Sequence, residues 1–180
     1  MTRRVEEIID RYYTRGSRLR EILTVHSELV VCKALECAER RKLGIDAGFV
    51  EEAALLHDIG IIHCNAPDIC CEGTLPYICH GMEGRRMLEA EGLPRHALVC
   101  ERHTGAGLTV DDIIRQHLPL PLRDMTPQTL EERLICYADK FYSKSGDIRR
   151  EKPLDKVMKS MERHGPDTLA RFMALHKEFG

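Results

Sequence analysis

The chain has 180 residues, a length that fits one domain and suffices to bury a sizeable core. Its formal net charge of -2 and the lack of a run of like charge at either end argue against nucleic acid or a membrane surface as an electrostatic partner. No apolar stretch is long enough to span a bilayer and residues 1–7 do not read as a signal peptide, so the expected location is cytoplasmic.

Periodicity predicts helix after helix. Val5, Ile8, Ile9 and Tyr12 form an amphipathic stripe that stops near Gly16. Ser17 can cap a short second helix, and Thr24 reads as the N-cap of a third that carries His26 in its first turn and a broad apolar face through Cys37 and Ala38. Asp46 can cap the next, in which Val50, Ala53, Ala54, Leu55 and Leu56 lead into His57 and Asp58, with Gly60 suited to a left-handed helix end. Adjacent helical residues diverge by roughly 100°, so His57 and Asp58 can serve one site only beside the last turn. The competing reading is a pair that merely caps a core helix, with His57 favoured at the negative end of its dipole.

Residues 61–77 lose the period, and Asn65, Pro67, Asp68, Gly73 and Pro76 mark a long loop of the kind that serves as a lid or substrate wall. His80 opens a helical segment closed by Gly92, and Pro94 can start the next, with His103 at its end before Thr104-Gly105-Ala106-Gly107. Residues 109–112 resemble a capping box. Past a proline-marked connector, Thr126 with Pro127 gives a helix start, and Leu130, Leu134, Ile135, Ala138 and Phe141 carry a stripe across Asp139. A buried carboxylate is costly unless paired, so Asp139 requires a metal or a lysine or arginine. Helices around residues 154–163 and 169–179, separated by Gly165-Pro166, finish the chain. The eight cysteines contain no C-x-x-C pair and most read as small apolar fillers, with a redox or soft-metal role for some of Cys64, Cys70, Cys71 and Cys79 ranked below that. No G-x-S-x-G elbow, Walker loop or dinucleotide fingerprint is present.

His26, the His57-Asp58 pair and Asp139, each on a separate predicted helix, resemble the H...HD...D pattern of the HD-domain superfamily of metal-dependent phosphohydrolases, and His57-Asp58-Ile59-Gly60 is similar to its HDIG variant. His80 and His103 fall where two-metal members carry extra ligands. The resemblance implies an all-α fold with the metal site in the centre of the helical bundle. It also implies a single HD domain over residues 1–180, with core motifs at 26–139 and C-terminal helices of 140–180 packing on that core. It places His26, His57 and Asp139 on a first metal, His80 and His103 on a second, and Asp58 between the two.

Imidazole and carboxylate without thiolate suit divalent transition metals, iron or manganese foremost and zinc, cobalt or nickel as alternatives. The expected activity is hydrolysis of a phosphomonoester or phosphodiester, with a nucleotide as the leading candidate, through a hydroxide bridging two such ions. The expected partners are a small-molecule phosphoester, no nucleic acid and no membrane, with a homodimer left open. One departure concerns the basic residue that many members carry three positions after the Asp, which here is Ile61. His63 and Lys140 are taken, with Asp58, as the catalytic residues, and Arg102 and Lys144 are further replacements; each also reads as an ordinary surface charge. Two other functions fit the same ligand order: a di-iron oxygenase similar to myo-inositol oxygenase, and a non-catalytic module that binds a nucleotide or a partner.

Overall fold

The apolar stripes become an all-α architecture. In the computed structural model, which describes residues 2–180, the helices are α1 (Arg3–Tyr12), α2 (Arg18–Arg40), α3 (Ala47–Leu56), α4 (His80–Ala90), α5 (Pro94–Arg102), α6 (Val110–Arg115), α7 (Leu130–Asp139), α8 (Leu154–Glu162) and α9 (Pro166–Phe179). Side-chain caps set five of the starts: Thr2, Ser17, Asp46, Thr109 and Thr129 each accept a hydrogen bond from a first-turn backbone N–H. At α6 the box is reciprocal, with Asp112 accepting from the Thr109 backbone.

Several boundaries differ from the sequence expectation. Ser17 opens one 23-residue helix, so Thr24 lies inside α2 and caps nothing. A single threonine costs a helix interior well under 1 kcal/mol relative to alanine, and the burial of Ile22, Leu23, Val25 and Val30 on either side outweighs it. The helix expected at Thr126-Pro127 begins at Leu130 behind Thr129, and α9 begins at Pro166 rather than Leu169. The long loop contains 3-10 turns at Ile59–His63, Pro67–Ile69 and Tyr77–Cys79, with Asn65–Ala66 (β1) and Cys71–Glu72 (β2) forming a minimal antiparallel hairpin. Gly60 does not have the left-handed conformation expected of a helix end; it lies within the first 3-10 turn.

Two apolar clusters make the core. One gathers side chains of α2, α3, α5, α7, α8 and α9 around Val30, Val50, Leu134 and Phe172; the other gathers α1 to α5 around Ile8, Leu23, Leu56 and Leu88. His26 falls between Val25 of the second and Val30 of the first. The last helix is part of this core: Phe172 and Phe179 are fully buried, each with its ring 5.8 Å from that of Tyr137. Burial of each phenyl ring contributes roughly 1.5–3 kcal/mol. Among the described residues, no helix is long and apolar enough to cross a membrane.

Candidate metal centre

Helix ends deliver most of the site. His57 is the C-cap residue of α3, and the backbone leaves the helix at Asp58 (φ -105, ψ 10), which brings the neighbouring carboxylate to 3.0 Å from His57 Nε2. His80 is the first residue of α4, His103 caps the C-terminus of α5, and Asp139 is the last residue of α7. Two glycines allow these ends to meet. A Cβ on Gly60 would lie 2.1 Å from the His80 carbonyl oxygen, and one on Gly81 would lie 2.6 Å from that of Cys100. The first contact seats α4 on the turn after Asp58; the second draws α4 against α5, so that His80 and His103 converge.

Six side chains thereby form two groups that share Asp58: His26, His57, Asp58 and Asp139, and Asp58, His80 and His103. Within each group the candidate ligand atoms all lie within 4.8 Å of one another. His26 Nε2 is 2.9 Å from Asp139 Oδ1 and 3.2 Å from Asp58 Oδ2, and His57 Nε2 is 3.5 Å from Asp139 Oδ1. His80 Nε2 and His103 Nε2 are 3.5 and 3.4 Å from Asp58 Oδ1 and 3.1 Å from each other. All six residues are buried.

Hydrogen bonding decides which ring nitrogens face inward. His57, His80 and His103 each direct Nδ1 at a carbonyl oxygen three residues back, those of Ala54, Tyr77 and Cys100, at 2.6, 2.7 and 2.8 Å. A carbonyl only accepts, so each Nδ1 carries a proton; the neutral rings of His80 and His103 present the Nε2 lone pair to the cluster, and His57 does so once its second proton is lost. Lone pairs of His80 and His103 then face each other, and the set faces carboxylate oxygens, an arrangement that a cation relieves. His57 Nε2 and Asp58 Oδ1 accordingly have no hydrogen-bond partner. Nitrogen and oxygen donors with no sulfur suit a borderline divalent metal, and these residues fit one.

The charge balance agrees. Burial opposes ionisation of Asp58, yet His57 and Lys144 hold it well below the usual carboxylate range. Burial likewise opposes ionisation of Asp139, and Lys140 and Lys144 outweigh it. Burial penalises the His57 cation, but Asp58 and Asp139 raise it to about 9. Burial lowers His80 to about 3, and it lowers His103 as well. The site thus contains one imidazole that competes for a proton and two that stay neutral.

The other sequence candidates separate clearly. Lys140 is buried, its Nζ 2.6 Å from Asp139 Oδ2 and donating to the His103 carbonyl at 2.9 Å. Lys144 reaches Asp58 Oδ2 at 2.6 Å, and against the cost of burial Asp58 raises its ammonium well above the ordinary value. Arg102 instead pairs with Glu132. The His63 imidazole makes no hydrogen bond or ion pair among the described residues; its backbone carbonyl accepts from Thr74 and Leu75. His96 lies against Glu52 and Phe49, and His176 is hydrogen-bonded to Tyr137. Tyr77, unremarked in the sequence, stacks on His80 with ring centroids 4.7 Å apart. Its only sequence signal is its place one helical turn before a candidate ligand.

Residues 24–143 match the HD domain family, and all six clustered residues lie within that span. The chain belongs to the HD domain family. Its relatives include the tRNA (cytidine(56)-2'-O)-methyltransferases of Picrophilus torridus, 31% identical over 88% of this chain, and of Thermoplasma volcanium, 31% identical over 81%. The matches cover 41% and 38% of those two proteins, so the chain spans about two fifths of their length. An uncharacterized protein of Methanocaldococcus jannaschii is 30% identical over 74% of this chain and 72% of its own. No solved structure matches the chain. The HD domain and the buried His/Asp cluster together fit a metal-dependent hydrolase.

Proposed function

We propose that residues 1–180 form one HD domain that hydrolyses a phosphomonoester or phosphodiester of the nucleotide class with two divalent transition metals. The observation that carries this reading is the pair of ligand groups joined through Asp58, with a lysine ammonium 2.6 Å from that same carboxylate. The single-domain part rests on Val157, Met161, Phe172, Leu175 and Phe179 of α8 and α9, which are buried in one cluster with side chains of α2, α3 and α7.

In this reading His26, His57 and Asp139 would hold one ion and His80 and His103 the other, with Asp58 available to both. When bound, such a pair supplies an activated water and neutralises charge on phosphoryl oxygens. The protein groups set orientation: three Nδ1–H bonds to carbonyls fix the imidazoles, and Lys140 steadies Asp139. Lys144 supplies the cation that the position of Ile61 lacks. His63 has no such support.

The matched relatives are named for tRNA. More than half of each lies outside the match, so methyl transfer is not assigned to this chain, but the name favours a nucleotide phosphoester and brings RNA-borne phosphates into consideration. The test is a screen of nucleotides, other phosphoesters and tRNA with protein reconstituted in manganese, iron, cobalt or zinc, run with and without oxygen. Metal-dependent release of phosphate or cleavage of a diester under anaerobic conditions is expected. Oxygen uptake coupled to substrate loss by the iron form, without anaerobic hydrolysis under any metal, would replace the hydrolase by an oxygenase.

A further inference from the structure

A cavity of about 380 Å³ is lined by Ala66, Pro67, Asp68, Ile69, Tyr77, Lys144 and Ser145, and it meets the clustered residues through Lys144 and Tyr77. Two of its lining groups touch the candidate centre directly. The Lys144 side chain, 14% exposed, places Nζ 2.6 Å from Asp58 Oδ2 and 6.0 Å from the centre of the Tyr77 ring. The Tyr77 ring lies nearly parallel to His80, at 27°. Lys144 and Ser145 fall just beyond residues 24–143, so the family match does not cover them.

The wall has three chemistries. Its cation is Lys144, and its carboxylate is the exposed Asp68. Pro67, Ile69 and the Tyr77 ring offer apolar surface. A lysine ammonium on four rotatable carbons can pass from Asp58 to an incoming anion, and the His80 contact holds the tyrosine ring in place. Ligand pockets run from roughly 300 to 1,000 Å³, so this cavity is at the small end and suits one nucleotide unit better than two.

We propose that this cavity is the substrate subsite of the metal centre and takes a nucleoside monophosphate, its phosphate drawn to Lys144 and its nucleoside placed against Tyr77, Pro67 and Ile69. Asp68 accepts hydrogen bonds from ribose hydroxyls or base amines. The proposal rests on the phosphoester reading above and adds to it the residues that select the ligand.

The test is calorimetric titration of adenosine monophosphate and of inorganic phosphate into metal-reconstituted protein, with metal content measured for every variant. Lys144→Met is expected to weaken both ligands roughly tenfold to hundredfold, the size of a lost charge-assisted hydrogen bond, and Lys144→Arg to recover part of it. Ala66→Trp, which fills the slot and leaves the cation, is expected to weaken the nucleotide at least tenfold and leave phosphate near wild type. If Lys144→Met folds poorly, Ala66→Trp decides alone. No binding of the nucleotide to wild type, or wild-type affinity in Ala66→Trp, overturns the subsite even if other phosphoesters are hydrolysed. Binding that depends on Ala66 and Lys144, without hydrolysis of any phosphoester, would sustain the subsite and remove the hydrolase.

Discussion

Asp58 and Asp112 are both buried carboxylates with pKa values held below the ordinary one, and they are surrounded by opposite kinds of atom. Asp112, at the start of α6, accepts from the Thr109 N–H at 3.1 Å and the Thr109 hydroxyl at 3.0 Å, and from Arg171 and Arg115 at 2.5 Å each. Every neighbour is a donor, so the charge is fully answered by protein. Asp58 meets one ammonium and otherwise faces the Nε2 atoms of four histidines, and neither of its oxygens has a hydrogen bond of good geometry. A buried acid ringed by donors is structural; one that faces the Nε2 lone pairs of His80 and His103, whose protons are held at Nδ1, calls for a cation.

The largest expected effect separates the two in function. Asp58→Asn should reduce hydrolysis roughly a thousandfold or more, on the scale of removing a central electrostatic group, whereas Asp112→Asn should leave turnover near wild type. Steady-state rates on folded protein taken through the same metal reconstitution check this, and equal losses in both variants would erase the distinction. The next effect lies on stability. Asp112→Ala strands Arg171 and Arg115, whose side chains are 25% and 45% exposed, so water offsets part of the loss and about 2 kcal/mol is expected. Denaturant unfolding measures it, with metal content unchanged.

A smaller effect concerns protons. In the metal-free protein His57 titrates at about 9, so below that pH an entering metal must displace its proton, and affinity at the first group should rise about tenfold per pH unit until it levels near 9. His80, at about 3, has no proton to lose at neutral pH, so the second group should show no such slope from it. Titrations in buffers of different ionisation enthalpy at pH 7.5 should therefore report proton release on filling the first group and little on filling the second. Equal release from both would contradict the assignment of the groups.

The six clustered residues were legible because their chemistry is written in residue type and order, and the caps Ser17, Asp46 and Thr109 because a capping side chain acts within three residues. What escaped depends on distant chain. Gly60 reads locally as a helix stop; the reason it must be small is the His80 carbonyl, twenty residues on. Thr24 and Thr126 look like caps, and only the packing of α2 and the start of α7 behind Thr129 removes that role. Four basic side chains could stand in at the position of Ile61, and the turn after α7 is what brings Lys144 rather than Arg102 to Asp58.

The most direct measurement is elemental analysis of wild type, His80→Ala and Asp58→Ala after identical mild reconstitution. Two metals per chain, one and none are expected, because Asp58 belongs to both ligand groups and His80 to one. A wild-type chain that holds a single metal, or an Asp58→Ala chain that keeps two, would contradict the shared carboxylate.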